Sequence, residues 1–531
     1  MTSLAKRMVW LGFLTTPVCL PLNQAGADEI AQGVVFHDQN ENGAYETGEP
    51  LLEDVRVSNG TKIVRTDAQG RYEIEVDQDA IIFVIKPRNW RTPLSKAMLP
   101  RFYYIHKPQG SPELTFPGVT PSGPLPESID FPLYPQKEPD QFKAVFFGDP
   151  QPRNQKEIDY MSHDVIEELI GTDASFGVTL GDIVFDNLAL FEPQSHSIAL
   201  VGIPWYNVIG NHDINRDVTE DFLSDESFER VFGPAYYSFE HGPVHFIVLD
   251  DIEWYIDAAD GNGKYRGGLG KEQMTFVQND LMQVPDEQLV VLMMHIPLDE
   301  VEDRQELYRL IEKRKFCMSL SGHEHYHQHR FITHEDGWQG PEAHHHVVNV
   351  TVSGSWWGGA PDERGIPHTL MRDGAPNGYS FITFDGNKYA LDFKAAGRPT
   401  DYQMNIYAPE EIASAEVTQT EIYVNVFNGN EHSKVEMRIG DETKWQTMTQ
   451  EVTNDPRYVE LVAEEQSLTG ATWVALPVPE VTPHLWHAKL SETLLPGTHA
   501  IQIRATDRNG RTISARRIIR VLPAVSASPG E

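Results

Sequence analysis

Five short blocks of polar residues each follow directly on an apolar run: Gly148-Asp149-Pro150-Gln151, Gly181-Asp182, Gly210-Asn211-His212-Asp213, His295-Ile296-Pro297 and Gly322-His323-Glu324-His325. The runs Lys143–Phe147, Phe176–Leu180, Trp205–Ile209, Val244–Leu249, Leu289–Met294 and Cys317–Leu320 are nearly continuous in apolar residues. Strands buried on both faces read this way. Between them, Ile158, Met161, Val165, Ile166, Leu169 and Ile170 fall at helical spacing. So do Met274, Val277 and Leu281, and Leu307, Leu310 and Ile311. Alternating strands and helices predict an α/β domain from about Phe142 onward. Such a domain carries its chemistry on loops at strand C-termini, where every block sits.

The blocks supply carboxylates, amides and imidazoles, and their order resembles that of the calcineurin-like metallophosphoesterases over roughly residues 142–395. The resemblance implies a four-layer α/β/β/α core and hydrolysis of a phosphomonoester or phosphodiester. That chemistry needs a nucleophile at neutral pH, neutralisation of developing charge and a proton for the leaving oxygen. Two cations about 3.5–4 Å apart provide the first two by holding a bridging hydroxide. By resemblance Asp182 is the bridging carboxylate. Asp149, Gln151 and His325 complete one metal, and Asn211, His295 and His323 the other. Oxygen and imidazole donors suit Mn, Fe, Zn, Co or Mg. His212, beside a ligand and not consumed by a metal, is the expected proton donor. Asp213 is expected to orient that loop, or simply to cap the turn that follows.

One block departs from the common pattern. Most of the superfamily has D-x-H first, whereas this chain has Asp149-Pro150-Gln151. An amide oxygen is a harder and weaker donor than imidazole, which favours Mn or Mg over Zn at that metal. The purple acid branch needs a tyrosine soon after the second aspartate; here Asp182 is followed by Ile183-Val184-Phe185-Asp186. The runs Ser353-Gly354-Ser355-Trp356-Trp357-Gly358-Gly359 and Asp373-Gly374-Ala375-Pro376-Asn377-Gly378-Tyr379 resemble the loop after the catalytic core in bacterial phosphoesterases with β-sandwich domains at both ends. Trp356, Trp357 and Asn377 are candidate substrate contacts, with a packing seam as the other reading. Arg216, Lys264 and Arg266 are candidate anion clamps. Of the histidines at 323, 325, 327, 329, 344, 345 and 346, the last five read as surface or substrate-side residues.

The flanks read as all-β. In residues 28–107 short runs such as Gly33–Phe36, Val55–Val57, Tyr72–Val76 and Ala80–Ile85 are punctuated by Asn59-Gly60 and Gln69-Gly70, as in a small sandwich of the prealbumin or Sdr type. Asp38, Asn40, Asn42, Gly43 and Glu49 fit a calcium loop with Glu49 closing the shell; the same residues also fit an Asx-rich turn that needs no metal. Nine prolines between Pro108 and Pro139 make residues 108–140 a stiff, extended connector. The catalytic domain spans 141–400. A C-terminal sandwich spans 401–525, read from Glu416–Phe427, Lys434–Ile439, Thr472–Leu476 and Ala500–Ala505, and 526–531 is a tail.

A formal charge of −35 on 531 residues disfavours nucleic acid as a partner, but bound cations reverse the sign locally for a small phosphorylated substrate such as an ester, nucleotide or lipid-linked phosphate. Lys6 and Arg7, the apolar stretch Met8–Leu20 and the Ala25-Gly26-Ala27 site before Asp28 read as a cleavable signal peptide, residues 1–27. Its removal takes away Cys19, leaves Cys317 alone and leaves no membrane span, which predicts a secreted or periplasmic bacterial protein without disulfides. The competing class is a non-catalytic, β-rich binding or adhesion protein with a calcium-stabilised N-terminal domain.

Overall fold

Two β-sheets face each other at the centre of residues 141–395. The computed structural model describes residues 29–440, 443–490 and 494–524; the expected signal segment and the tail lie outside them. The first sheet runs Trp205–Val208, Phe176–Leu180, Gln141–Phe147, Gly378–Asp385 and Lys388–Ala395 in spatial order. The second runs Tyr237–His241, Val244–Val248, Leu289–Met293, Cys317–Ser321, His344–Val348 and Gln328–Ile332. The strands bearing the blocks pair in parallel within each sheet. Their C-terminal ends therefore point the same way, and the loops after them collect at one edge.

Aromatic side chains fill the space between the sheets. Phe176 meets Phe246 at 5.2 Å and Phe142 meets Phe384 at 5.0 Å between ring centroids. Helices cover the outer faces, Gln155–Met161 packing on Phe191–Ile198, and Gly270–Leu281 on Arg304–Ile311. This is the expected four-layer sandwich. The first helix starts where Asn154 accepts from the Glu157 amide. The stripe from Ile158 to Leu169 is one continuous helical run with a π turn at Ser162–Ile166.

The N-terminal domain is a sandwich of two four-stranded sheets. Strand Arg71–Val76 alternates strictly, with Tyr72, Ile74 and Val76 buried. Part of the proline-rich connector belongs to this domain: Phe131–Pro135 is a strand lying parallel to Glu29–His37. Pro132 tolerates this place because the strand is paired on one side only at its level, Trp90–Arg91 meeting just Tyr134 and Pro135 on the other. The rest of the connector drapes over the core, where Thr115 donates to Asp217 and Arg230 donates to the Pro117 carbonyl.

The C-terminal domain is a second sandwich, of four- and five-stranded sheets around Val424, Met437, Trp486 and Ile503. Two features differ from the sequence expectation. Thr472–Leu476 is not a strand; its Val474 carbonyl accepts from the Gly359 amide. Pro456–Ser467 is a helix, capped by Asp455 and opened by proline at its first position. No helix among the described residues is long and apolar enough to cross a membrane.

Candidate metal centre

The five loops bring their polar residues to one place by adopting backbone that most residues avoid. Asp149 (φ 41°), Gln151 (40°), Asp182 (49°), His323 (77°) and His325 (54°) all sit in the left-handed region. Each such residue costs on the order of 1–3 kcal/mol, and strain of this kind concentrates at functional sites. Glycines make the close approach possible. A Cβ on Gly210 would lie 2.1 Å from the Asp182 amide nitrogen, and one on Gly181 would lie 2.3 Å from His295 Nδ1.

Asp182, His295 and His323 each present a ligand atom within 4.8 Å of the others, and this is the one such cluster of His, Cys, Asp and Glu among the described residues. His295 Nε2 lies 3.3 Å from Asp182 Oδ1, 3.1 Å from Asn211 Oδ1 and 3.2 Å from His323 Nδ1. Its other nitrogen, Nδ1, donates to the Leu180 carbonyl at 2.9 Å, which leaves the Nε2 lone pair for a cation. His325 follows the same logic: Nδ1 donates to the Gly354 carbonyl at 2.5 Å, and Nε2 lies 3.8 Å from Asp149 Oδ1. Gln151 is 1% exposed; its amide nitrogen donates to Asp182 Oδ2 while Oε1 is buried with no partner. A buried carbonyl oxygen left without a donor costs about 1–3 kcal/mol, and a cation would satisfy it.

The electrostatics agree with that fit. Burial pushes Asp149 up to about 8. Burial opposes charge on His295, but Asp182, Asp149 and Asp251 outweigh it and hold the imidazole up at about 10. Burial would also raise Asp182, yet His295 and His212 hold it below the usual carboxylate range. Burial takes His325 down to about 3 and His323 down to about 4. Carboxylates packed against His295, which they hold as the cation, and against the neutral imidazoles of His323 and His325 form a site where a divalent cation would take the place of the His295 Nε2 proton. Asn211, His295 and His323 gather on one side of Asp182 and Gln151 on the other, with His325 Nε2 beside Asp149.

His212 stands at the edge of the cluster. Its Nδ1 lies 2.7 Å from Asp186 Oδ1, and its ring stacks on Phe185 at 4.3 Å. Burial would lower its pKa, but Asp182 and Asp186 outweigh burial and raise it. Arg216 reaches the same Asp186 oxygen at 2.8 Å. Neither Asp186 nor Phe185 was singled out from sequence as a contact of His212. Asp213 has a different place from the one its neighbour suggests. It is fully buried and accepts the Ile183, Val184 and Gly210 amides, strapping the Asp182 loop to the Asn211 loop. The side chain ties the two loops together and touches no open space.

Several expected substrate contacts do not face the centre. Trp356 does: its ring stacks on His325 at 3.9 Å. Trp357 is 2% exposed and spends its indole N–H on the Pro150 carbonyl, so it packs the loop. Asn377 turns away and donates to Asp164 and to the Val352 carbonyl. Arg266 is engaged by Glu253 and Glu302, and Lys264 by Asp257 and Asp260. Both lie on a hairpin, Ile252–Ile256 with Gly263–Gly267, and strand alternation sends the residue between them the other way. That residue, Tyr265, abuts His323 at 6.3 Å. The later histidines are not surface residues. His327, His344, His345 and His346 are buried, and His327 and His329 both hydrogen-bond Asn428 of the C-terminal sandwich.

The loop expected to bind calcium closes on itself. Asp38 accepts the Asn42 and Gly43 amides and the Tyr134 hydroxyl, Asn40 Oδ1 accepts the Asn42 amide, and Glu49 accepts the Gln39 and Glu46 amides. These are the hydrogen bonds of an Asx-rich turn, and the carboxylate oxygens that accept only an amide keep a second lone pair, so the loop geometry fits both readings of the sequence.

Comparison with known proteins follows the same divisions. A profile for calcineurin-like phosphoesterase matches residues 142–327, one for the N-terminal part of calcineurin-like phosphoesterase matches 39–117, and one for the C-terminal part matches 345–513. No curated protein matches the chain. Among solved structures, a purple acid phosphatase from yellow lupin (Lupinus luteus) seeds is similar at 14% identity and a TM-score of 0.36, covering 69% of this chain and 71% of that one. With its catalytic core and both flanking parts matched, this chain belongs to the calcineurin-like phosphoesterases and is a metal-dependent phosphoric ester hydrolase.

Proposed function

We propose that the chain hydrolyses a small phosphate ester at a two-cation centre, with His212 delivering a proton to the leaving oxygen. Bound divalent cations supply a water-derived nucleophile at neutral pH and neutralise charge on the phosphoryl oxygens. The chain's own residues do the rest. His295 and His325 keep their tautomers through backbone carbonyls, so their donor nitrogens stay aimed. Asp186 holds His212 by Nδ1, which leaves Nε2 as the nitrogen that gives its proton. The Phe185 ring fixes the imidazole plane. Trp356 and Tyr265, each against a ligand histidine, would meet the leaving group.

The observation that carries this reading is the convergence of Asp182 Oδ1, Asn211 Oδ1, His295 Nε2 and His323 Nδ1, beside the partnerless Gln151 Oε1. The test is hydrolysis of p-nitrophenyl phosphate and bis-p-nitrophenyl phosphate after chelation and return of Mn, Mg, Zn, Fe or Co. Cleavage restored by metal and lost in His212→Ala is expected, and the preferred ester separates mono- from diesterase. A folded, metal-loaded protein that cleaves neither would sink the proposal in favour of a binding protein. We also propose export through the segment ending at Ala27; N-terminal sequencing of the mature protein should begin at Asp28, and retention of Met1 would refute it.

A further inference from the structure

We propose that the C-terminal sandwich helps to build the metal centre, with Asn428 as a positioning residue for the ligand His325. The inference rests on the proposed role of His325 as a cation ligand. It goes beyond that role, since Asn428 acts through other groups.

His325 stands in left-handed backbone at φ 54°, a conformation kept only where the surroundings hold it. Part of that hold comes from Arg372 and Asp373. The His325 carbonyl accepts the Arg372 amide at a long 3.4 Å, and two residues on the His327 amide donates to Asp373 Oδ2 at 2.9 Å. Arg372 and Asp373 are in turn gripped by the C-terminal sandwich. The Glu480 amide donates to the Arg372 carbonyl at 3.0 Å. Asn425 Nδ2 donates to the Asp373 carbonyl at 2.9 Å, and His484 Nε2 to Asp373 Oδ2 at 3.0 Å. Asp373, Asn425 and His484 are all buried, so water does not compete for these bonds.

The sandwich reaches the same segment a second way. Asn428 Oδ1 accepts His327 Nε2 at 3.0 Å and His329 Nε2 at 2.8 Å. Its Nδ2 donates to the Leu391 carbonyl at 3.0 Å, which fixes the amide with its oxygen toward the two rings. That orientation sets a whole chain of donors. Burial takes His329 down to about 4 and His345 well below its ordinary value, so each is a neutral ring with one N–H. His329 gives its N–H to Asn428, so its Nδ1 accepts from His345 Nε2 at 2.8 Å. His345 Nδ1 then accepts the Tyr389 hydroxyl at 2.7 Å. One arrangement of protons satisfies every link, and it holds residues 327–329 directly after the ligand block. Groups behind a metal's own ligands orient them, and losing one typically weakens metal binding about 10–100-fold.

The experiment is calorimetric titration of the metal-stripped full-length chain with manganese chloride, beside hydrogen exchange of residues 322–330 and thermal melting. Two sites are expected in the unmodified chain. In Asn428→Ala one of them should weaken about tenfold while the other stays, and exchange of 322–330 should rise. Asn428→Asp keeps an acceptor for both imidazoles and should return the weakened site to within about threefold. Asn428→Leu fills the space without donor or acceptor and is read in the same way where the Ala variant does not fold. Arg511→Ala breaks an ion pair to Asp392 across the same joint and none of the bonds above, and should leave both affinities unchanged. A purely structural Asn428 would lower the melting temperature and leave the Mn affinity of the folded chain where it was. That result, an equal loss in Arg511→Ala, or no recovery in Asn428→Asp would each overturn the proposal alone. An unmodified chain that binds no Mn would overturn the two-cation reading with it, so the two failures are told apart.

Discussion

Removing the Asp186 carboxylate should slow turnover without emptying the metal centre. The carboxylate is 2.7 Å from His212 Nδ1, and its side chain is 40% exposed. A hydrogen bond to a charged group contributes about 1.5–3 kcal/mol when buried, and this exposure puts the pair near the lower end. Asp186→Asn keeps an acceptor but not the charge, so a loss of about 1 kcal/mol, roughly fivefold in kcat, is expected. Asp186→Ala loses the acceptor too, but Phe185 still stacks on the ring at 4.3 Å and limits its swing. About tenfold to thirtyfold is then expected. His212→Ala removes the proton donor itself and should cost about 10²–10⁴-fold. The assay is steady-state kinetics with metal content measured on each sample. Because Asp186 acts through His212, the double variant should be no slower than His212→Ala. Full additivity in the double variant, or metal loss in Asp186→Asn, would refute this assignment.

On the proposed two-cation centre, Gln151→Ala should weaken one cation by at least about tenfold, read as metal stoichiometry after dialysis, whereas Gln151→His should shift preference toward Zn. Asp213→Ala strands three buried amides at about 1–3 kcal/mol each, so it should lower the melting temperature steeply; a melting curve like that of the unmodified chain would contradict the strap role. Trp357→Ala should destabilise the fold by about 3–5 kcal/mol in denaturant titration, while Trp356→Ala should change KM with little effect on stability. Arg266→Ala breaks only exposed ion pairs, contributing about 0–1 kcal/mol, and should leave kcat/KM within about twofold; a larger fall would restore it as a substrate contact.

What the sequence reveals here depends on how few residue types a given task tolerates. The ligand blocks are legible because cation donors come from a short list and must sit at strand ends, and the apolar runs before them mark those ends. Asp186 is not legible, since a lone aspartate four residues past Asp182 looks like any polar loop residue until the fold sets it against His212. Lys264 and Arg266 attract notice as cations, yet strand alternation turns them from the centre and presents Tyr265. The helix Pro456–Ser467 carries its signals openly, with Asp455 as cap and Pro456 at the first turn, but the alternating runs around it favoured strands. The late histidines were misplaced because a polar residue reads as exposed unless its buried partner is known. For His327 and His329 that partner is Asn428, about a hundred residues away.

The two flanking sandwiches are attached by different physics, and this bears on what each can do. The N-terminal sandwich shares one apolar cluster with the catalytic core, where Phe83 packs on Phe276 at 5.8 Å. Buried charges are locked across the same joint: Arg56 to Glu240 at 2.6 Å and Asp280 at 3.2 Å, and Lys86 to the Glu240 carbonyl at 2.6 Å. Removing one partner of such a pair strands a charge in the interior, so core and N-terminal sandwich stand or fall together. The C-terminal sandwich has its own core and meets the catalytic region through polar contacts, His484 with Asp373 at 3.0 Å and Asn425 with the Asp373 carbonyl at 2.9 Å among them, and through a small apolar cluster in which Phe427 meets Phe393 at 5.4 Å. A large cleft lies beside this smaller joint, lined from both sides. The N-terminal sandwich therefore acts as part of the catalytic body, whereas the C-terminal sandwich keeps a core of its own and shares only small clusters with it.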